Sequence, residues 1–224
     1  MGVAVDFVKL LKSFEEFVFE VISWFLFYPL TLWNVMVRPL AMMQYAADEL
    51  DDAEDDYYSD RLSPPIFLAI TLGLSHLIEL ALDVTAQMPG ILAGDENLLG
   101  YRVLMFSIFP LVFAVRLMRK QRVPLDRKTL RAPFYAQSYA IAPYALVVGV
   151  GPLLVAHYMK PSLAALAVLL GSLAAASIWY VILQTRWYRA QLDCSLAAAI
   201  RHACVSFVLA LIVVGTISGI VSKL

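Results

Sequence analysis

Residues 63–87 decide the fold, and they read SPPIFLAITLGLSHLIELALDVTAQ. The stretch is apolar and long enough to cross a bilayer, for which a helix needs about 20 residues. It nevertheless carries the ionisable residues His76, Glu79 and Asp83. Charged side chains inside a membrane are costly, so they normally face the protein interior or a water-filled cavity. The stretch therefore predicts a membrane-spanning helix that other helices must cover.

Polar residues recur along this stretch at helical spacing. Intervals of four residues separate Thr71, Ser75, Glu79, Asp83 and Gln87. Side chains three or four positions apart share one face of an α-helix, so these residues and His76 are predicted to form one polar stripe. Glu79 with His76 is a candidate proton or cation site. The alternative hypothesis is a buried, hydrogen-bonded carboxyl that fixes how the helices pack.

The composition indicates a membrane protein. Hydrophobic residues make up 61% of the chain and charged residues 16%, whereas a soluble domain is about 25% charged. We predict an all-α bundle whose five spans lie at about residues 65–86, 101–118, 133–157, 163–183 and 203–222. If the second span packs antiparallel to the first, Arg102 reaches the depth of Asp83, and an Asp83–Arg102 ion pair is predicted.

The chain before the first predicted span has a different character. Residues 3–22 are amphipathic, and residues 21–37 are rich in aromatic side chains, short for a span and interrupted by Pro29. Trp and Tyr favour the headgroup level of a membrane. We therefore predict that residues 1–47 form amphipathic helices lying in the membrane interface, ahead of a transmembrane domain at residues 63–224. A re-entrant or true first span is the alternative.

An acidic linker at residues 48–62 separates these two parts. Its segment 48–60 reads DELDDAEDDYYSD and holds eight acidic residues in thirteen. Such a run is typical of a solvated linker, and it could also bind a partner protein. It lacks the D-x-D-x-D-G pattern and the distant Glu of a calcium loop.

Basic residues fall in alternate loops. The loops after the second and fourth spans contain Arg119, Lys120, Arg122, Arg127, Lys128, Arg131, Arg186, Arg189 and Arg201. The opposite loops offer only Arg102, at a span edge, and Lys160. The positive-inside rule then predicts an inner-membrane protein whose basic loops and N-terminus are cytoplasmic and whose C-terminus lies outside.

Small residues and helix breakers mark the later spans. Small-xxx-small pairs, which favour close helix packing and a homo-oligomer, are Gly171 with Ala175 and Gly215 with Gly219. The third span holds Pro143, Gly149, Gly151 and Pro152. Because proline removes a backbone hydrogen bond, this span is predicted to be kinked or locally unwound.

No pattern indicates an enzyme. The sequence contains no H-E-x-x-H, C-x-x-C, glycine-rich phosphate loop or nucleophile elbow. Its three histidines fall in different spans, and Cys194 and Cys204 lie by a loop predicted to be cytoplasmic, where disulfides are rare. We expect no catalytic residue, metal or cofactor. We also expect no nucleic-acid partner, since basic loops beside a bilayer are typical of lipid contact.

Two segments carry a family resemblance. Residues 131–152 read RAPFYAQSYAIAPYALVVGVGP, in which a basic loop enters a span with a Y-x-x-A-P core formed by Tyr139, Ala142 and Pro143. A short segment bounded by proline, Pro29–Pro39, precedes the acidic run. With the order of a cytoplasmic N-terminal region and five spans, these features resemble the Ypt-interacting protein (Yip) family.

The resemblance implies a membrane protein without catalytic residues. Its eukaryotic members bind small GTPases and shape vesicle membranes, and its bacterial members are loosely called permeases. We therefore predict a scaffold or membrane-organising adaptor that contacts the lipid bilayer. The alternative is a channel or transporter subunit for a proton or cation that uses the stripe around Glu79.

Overall fold

The computed structural model describes residues 2–50, 58, 60–83 and 95–221. Regular structure in these ranges is entirely helical, in agreement with the predicted all-α class. The helices in chain order are α1 (Gly2–Val37), α2 (Pro39–Asp48), α3 (Pro64–Ala81), α4 (Asp95–Gln121), α5 (Arg127–Tyr158), α6 (Leu163–Leu192) and α7 (Leu196–Val221). All of them except α2 are long and apolar enough to cross a membrane. The protein is thus a helical membrane bundle.

The first helix raises the number of candidate spans from the predicted five to six. Pro29 lies inside α1 and does not end it. The apolar run therefore extends over 27 residues, Leu11–Val37, and the prediction that this segment is interrupted was wrong. Proline is tolerated in a membrane helix when neighbouring groups satisfy the backbone carbonyl that it frees.

α1 packs along α3 in the antiparallel direction. The Thr31 hydroxyl accepts a hydrogen bond from the Leu62 amide at 3.4 Å, and the Tyr28 hydroxyl donates to Thr71 at 3.3 Å. Further along, Trp24 and Leu77 line one groove between the two helices. Later residues of α3 therefore lie beside earlier residues of α1. The second half of α1 thus runs antiparallel to a candidate span and lies next to it.

α2 belongs to the same core as the later helices. Met42, Met43 and Ala46 are buried in the cluster that includes residues of α3, α5 and α6. The Tyr58 hydroxyl donates to the Ala46 carbonyl at 3.0 Å, which ties the chain before α3 to α2. α2, which was predicted to belong to the interfacial part of residues 1–47, therefore packs into the same core as the later helices. Most of the acidic segment, residues 51–57 and 59, lies outside the described residues.

α5 is the central helix, and it contacts α2, α3, α4 and α6. It remains α-helical through Pro133, Pro143 and Pro152, so the predicted local unwinding near residues 143–152 is not observed. Gly149 has a packing role instead. A β-carbon at Gly149 would lie 3.1 Å from the Ser75 hydroxyl of α3. Glycine therefore allows α3 and α5 to approach closely at this level.

The core of the bundle is aromatic. Neighbouring ring centroids lie 5.3–6.4 Å apart in a cluster of Phe109, Phe113, Tyr144, Tyr180 and Phe207. These rings come from α4, α5, α6 and α7, so one cluster joins four candidate spans. Aromatic rings supply large contact areas, and offset or edge contacts at these distances are favourable.

Gly171 and Gly215, one from each predicted small-residue pair, lie on open faces of α6 and α7. A β-carbon at Gly171 or Gly215 would meet nothing within 4 Å. Ala175 and Gly219 are also exposed. A helix of another molecule could therefore approach α6 closely at Gly171, or α7 closely at Gly215.

Candidate functional site: the buried carboxylate of α3

The polar stripe of α3 is buried against the bundle. Thr71, Ser75, His76 and Glu79 are each at most 7% exposed. The Thr71 and Ser75 hydroxyls donate to carbonyls four residues earlier, which satisfies them within α3 itself. The unusual groups of the stripe are therefore the ionisable side chains, His76 and Glu79.

Glu79 is paired with Arg102 of α4. The Glu79 Oε2 atom lies 2.6 Å from an Arg102 guanidinium nitrogen. At this distance the two atoms form an ion pair, although neither makes a well-aligned hydrogen bond. The Nδ1 atom of His76 is 3.5 Å from the same carboxylate oxygen. Glu79 therefore has a cation of the neighbouring helix within ion-pair distance.

The predicted Asp83–Arg102 ion pair was wrong, because Arg102 pairs with Glu79 instead. α3 ends at Ala81 rather than near residue 86, and Asp83 follows it with a left-handed φ of 51°. Asp83 is therefore off the helical stripe and exposed. Gln87, the last member of the predicted stripe, lies outside the described residues.

The pair stands near one end of the bundle. Glu79 is two residues before the end of α3, a distance of about 3 Å at 1.5 Å per residue. Arg102 lies in the second turn of α4, and its side chain is 19% exposed. The positive group can thus reach the surface, while the carboxylate stays inside at 3% side-chain exposure.

This arrangement compensates a buried charge. An uncompensated carboxylate inside a bundle is costly, and a close cation offsets part of that cost. The other carboxylate oxygen, Oε1, is buried and has no hydrogen-bond partner among the described residues. Within the same part of the chain, no group of three or more His, Cys, Asp or Glu side chains could hold a metal ion.

Other polar contacts hold helices together at the same end. The His157 ring nitrogen Nδ1 is 3.1 Å from the Leu82 carbonyl, which joins α5 to the end of α3. The Tyr101 hydroxyl is hydrogen bonded to Ser218, which joins α4 to α7. The Glu79–Arg102 pair is therefore one of several polar links between helices at this end.

A second buried polar pair was not predicted from the sequence. The side-chain amides of Gln137 in α5 and Gln184 in α6 exchange hydrogen bonds of 3.1 and 2.6 Å, and both residues are fully buried. The signal was present, because an amide in an apolar span needs a partner just as a carboxyl does. The spacing of residues did not reveal which two amides would meet.

No protein-family model matches the chain, and neither does any curated protein or solved structure. The class of protein is therefore defined by the fold alone. It is a multi-pass α-helical membrane protein in which Glu79, the most buried carboxylate among the described residues, pairs with an arginine of the adjacent helix.

Proposed function

We propose that this protein is a non-enzymatic scaffold of the inner membrane, which organises other components through its outer surfaces. An ionisable residue inside a span is ordinarily a candidate functional group. The observation that carries the proposal is that Glu79 already has a cation, Arg102, at 2.6 Å. A carboxylate paired within the chain supports a role in holding α3 to α4.

The outer surfaces support the same role. Gly171 and Gly215 have open space beyond them on α6 and α7, where small residues let a second helix approach closely. We propose that these faces contact another copy of the chain. The acidic segment, residues 48–60, is the proposed site for a different protein partner, since its charges are repelled by anionic lipid.

The proposed topology places the basic loops of residues 119–131 and 186–201 in the cytoplasm. The prediction of a cytoplasmic N-terminus required that α1 stay on one side of the membrane. The antiparallel register of α1 on α3 favours a sixth span instead. We therefore propose that the N-terminus, like the C-terminus, lies on the side opposite the basic loops.

Single cysteines test this topology in a chain whose Cys194 and Cys204 are replaced by alanine. A membrane-impermeant maleimide should label Lys9→Cys and Lys160→Cys in intact cells. Arg189→Cys, in a basic loop, should react only after permeabilisation. If Lys9→Cys reacts only after permeabilisation, as Arg189→Cys should, the N-terminus is cytoplasmic and α1 does not cross the membrane.

A proton or cation conduit is the second candidate function. Two observations favour it: the unpartnered Glu79 Oε1 atom and the His76 ring nitrogen 3.5 Å from Oε2. A protonated His76 would compete with Arg102 for the carboxylate. Such competition is the kind of rearrangement that a proton-coupled step needs.

Ion flux into liposomes separates the two functions. We expect no proton or cation flux from the wild type, Glu79→Gln or Glu79→Leu, and the greatest loss of thermal stability for Glu79→Leu. Asp83→Asn is the matched control, since it removes an exposed carboxylate next to the same helix. Wild-type flux that Glu79→Gln abolishes while the fold persists would overturn the scaffold and establish the conduit.

A further inference from the structure

A groove between α4 and α7 combines cations with apolar walls. Arg116, Arg119 and Lys120 of α4 line one part of it, in the last turns of that helix. Leucine and valine side chains of both helices, among them Leu111 and Leu209, line the rest. The groove has a volume of about 530 Å³. We call it the α4–α7 groove.

No carboxylate of the described residues neutralises the cations of this groove, since none of the three forms an ion pair with one. The Arg116 Nε atom is buried and has no hydrogen-bond acceptor in the part of the chain that the structure describes. Arg201 adds a further positive charge nearby, because it, Arg116 and Lys120 all act electrostatically on His202. The groove therefore concentrates positive charge that an anion would balance.

The order of groups along the groove specifies the shape of that anion. Arg119 and Lys120 are exposed at the end of α4, and Arg116 lies about one turn further in. Beyond Arg116, towards the middle of the span, the walls are apolar. A ligand that satisfies both parts has a negatively charged head and a hydrocarbon chain. A free inorganic anion would use the cations and leave the apolar walls uncovered.

We propose that the α4–α7 groove binds one anionic phospholipid. Its phosphate lies against Arg116, Arg119 and Lys120, since guanidinium and ammonium groups donate charge-assisted hydrogen bonds to phosphate oxygens. One acyl chain lies between α4 and α7 along Leu111 and Leu209. The choice of lipid follows from charge complementarity at the level where anionic head groups occur.

Another groove with two arginines is a weaker candidate. Arg38 and Arg186 both line it, together with Trp179. Both arginines are exposed, and neither has a buried nitrogen that lacks an acceptor. The α4–α7 groove differs in holding three cations, one of which is partly buried with an unsatisfied Nε atom.

Native mass spectrometry of the full chain in mild detergent tests the proposal, with phosphatidylglycerol and phosphatidylcholine as probes. At low lipid excess, the wild type should retain one molecule of phosphatidylglycerol and should not retain phosphatidylcholine to a comparable extent. Arg116→Gln/Arg119→Gln should weaken phosphatidylglycerol binding by about tenfold or more. The control Lys128→Gln/Arg189→Gln removes equal charge from exposed positions outside the groove and should bind as wild type does.

Two further measurements keep the outcome decisive. Leu209→Trp should obstruct the apolar part and weaken lipid binding while leaving all cations in place. Should the Arg116 variant fail to fold, Arg119→Gln/Lys120→Gln replaces it, since both residues are exposed. Equal lipid binding by the groove variant and its control would overturn the proposal. A simple anion site would give two other results. Millimolar inorganic phosphate would displace the lipid, and Leu209→Trp would bind lipid as the wild type does. These two results together would also overturn the proposal.

Discussion

Glu79 of α3 and Arg102 of α4 form an ion pair between two candidate spans, with 2.6 Å between the carboxylate Oε2 atom and a guanidinium nitrogen. The acid is buried and the base is partly exposed, so the two partners are not equivalent. Loss of the arginine leaves a charge inside the bundle, whereas loss of the acid leaves one that can turn towards the surface. This asymmetry makes the role of the pair measurable.

Arg102→Met should destabilise the protein more than Glu79→Gln does. Breaking a buried pair by removing one partner costs about 3–5 kcal/mol, and the 19% exposure of Arg102 places the expected loss at the lower end. The double variant Glu79→Leu/Arg102→Met should recover much of that stability, because no unpaired charge remains. Unfolding in detergent measures all of these variants. A single Arg102→Met as stable as the wild type would contradict the pairing.

Part of this site was predictable from the sequence. Spacing placed Ser75, His76 and Glu79 on one face, and the cost of exposing charge to lipid required that the face be covered. The partner of Glu79 was not predictable, because it depends on where α3 ends. An end at Ala81 rather than near residue 86 removes Asp83 from the helix and brings Arg102 level with Glu79.

The candidate spans α3 to α7 were predictable because apolar length is a local property of the chain. α1 was the exception. Pro29 was taken as a break, yet contacts from Tyr28 and Thr31 to α3 hold this part of the helix in the bundle. Packing with a distant segment decided the outcome, and single-segment reasoning does not include such contacts.

Gln137 and Gln184 should behave as one unit. Gln137→Leu leaves the Gln184 amide buried without its partner, at a cost of about 1–3 kcal/mol. Gln137→Leu/Gln184→Leu should cost less than the sum of the single changes, with a coupling energy of about 1 kcal/mol. Unfolding of the wild type, the two single variants and the double variant in detergent gives the four free energies of this double-mutant cycle. Strictly additive losses would mean that the two amides do not depend on each other.

Gly149→Leu should disrupt the contact between α3 and α5. Even a β-carbon at this position would lie 3.1 Å from the Ser75 hydroxyl, so a larger side chain must push the helices apart. Overpacking of this kind costs about 1–3 kcal/mol. Gly100→Leu is the matched control, since nothing lies within 4 Å of a β-carbon there. Equal melting temperatures for the two variants would show that α3 and α5 do not meet closely at Gly149.

Gly215→Leu should weaken self-association without unfolding the chain. Gly215 is exposed, and a β-carbon there meets nothing within 4 Å, so we expect the folded chain to accommodate a leucine. In a dimer or larger assembly that packs α7 through Gly215 and Gly219, the leucine would instead separate the helices. We expect a loss of association free energy of about 1–3 kcal/mol, as for other overpacked contacts. Cross-linking and light scattering in mild detergent measure the change over a range of protein concentrations.

Thr216→Leu is the matched control, since it adds bulk one position along the same exposed helix while leaving Gly215 in place. A wild type that stays monomeric at every concentration, or an assembly that Gly215→Leu and Thr216→Leu affect equally, would remove the glycine face as the contact.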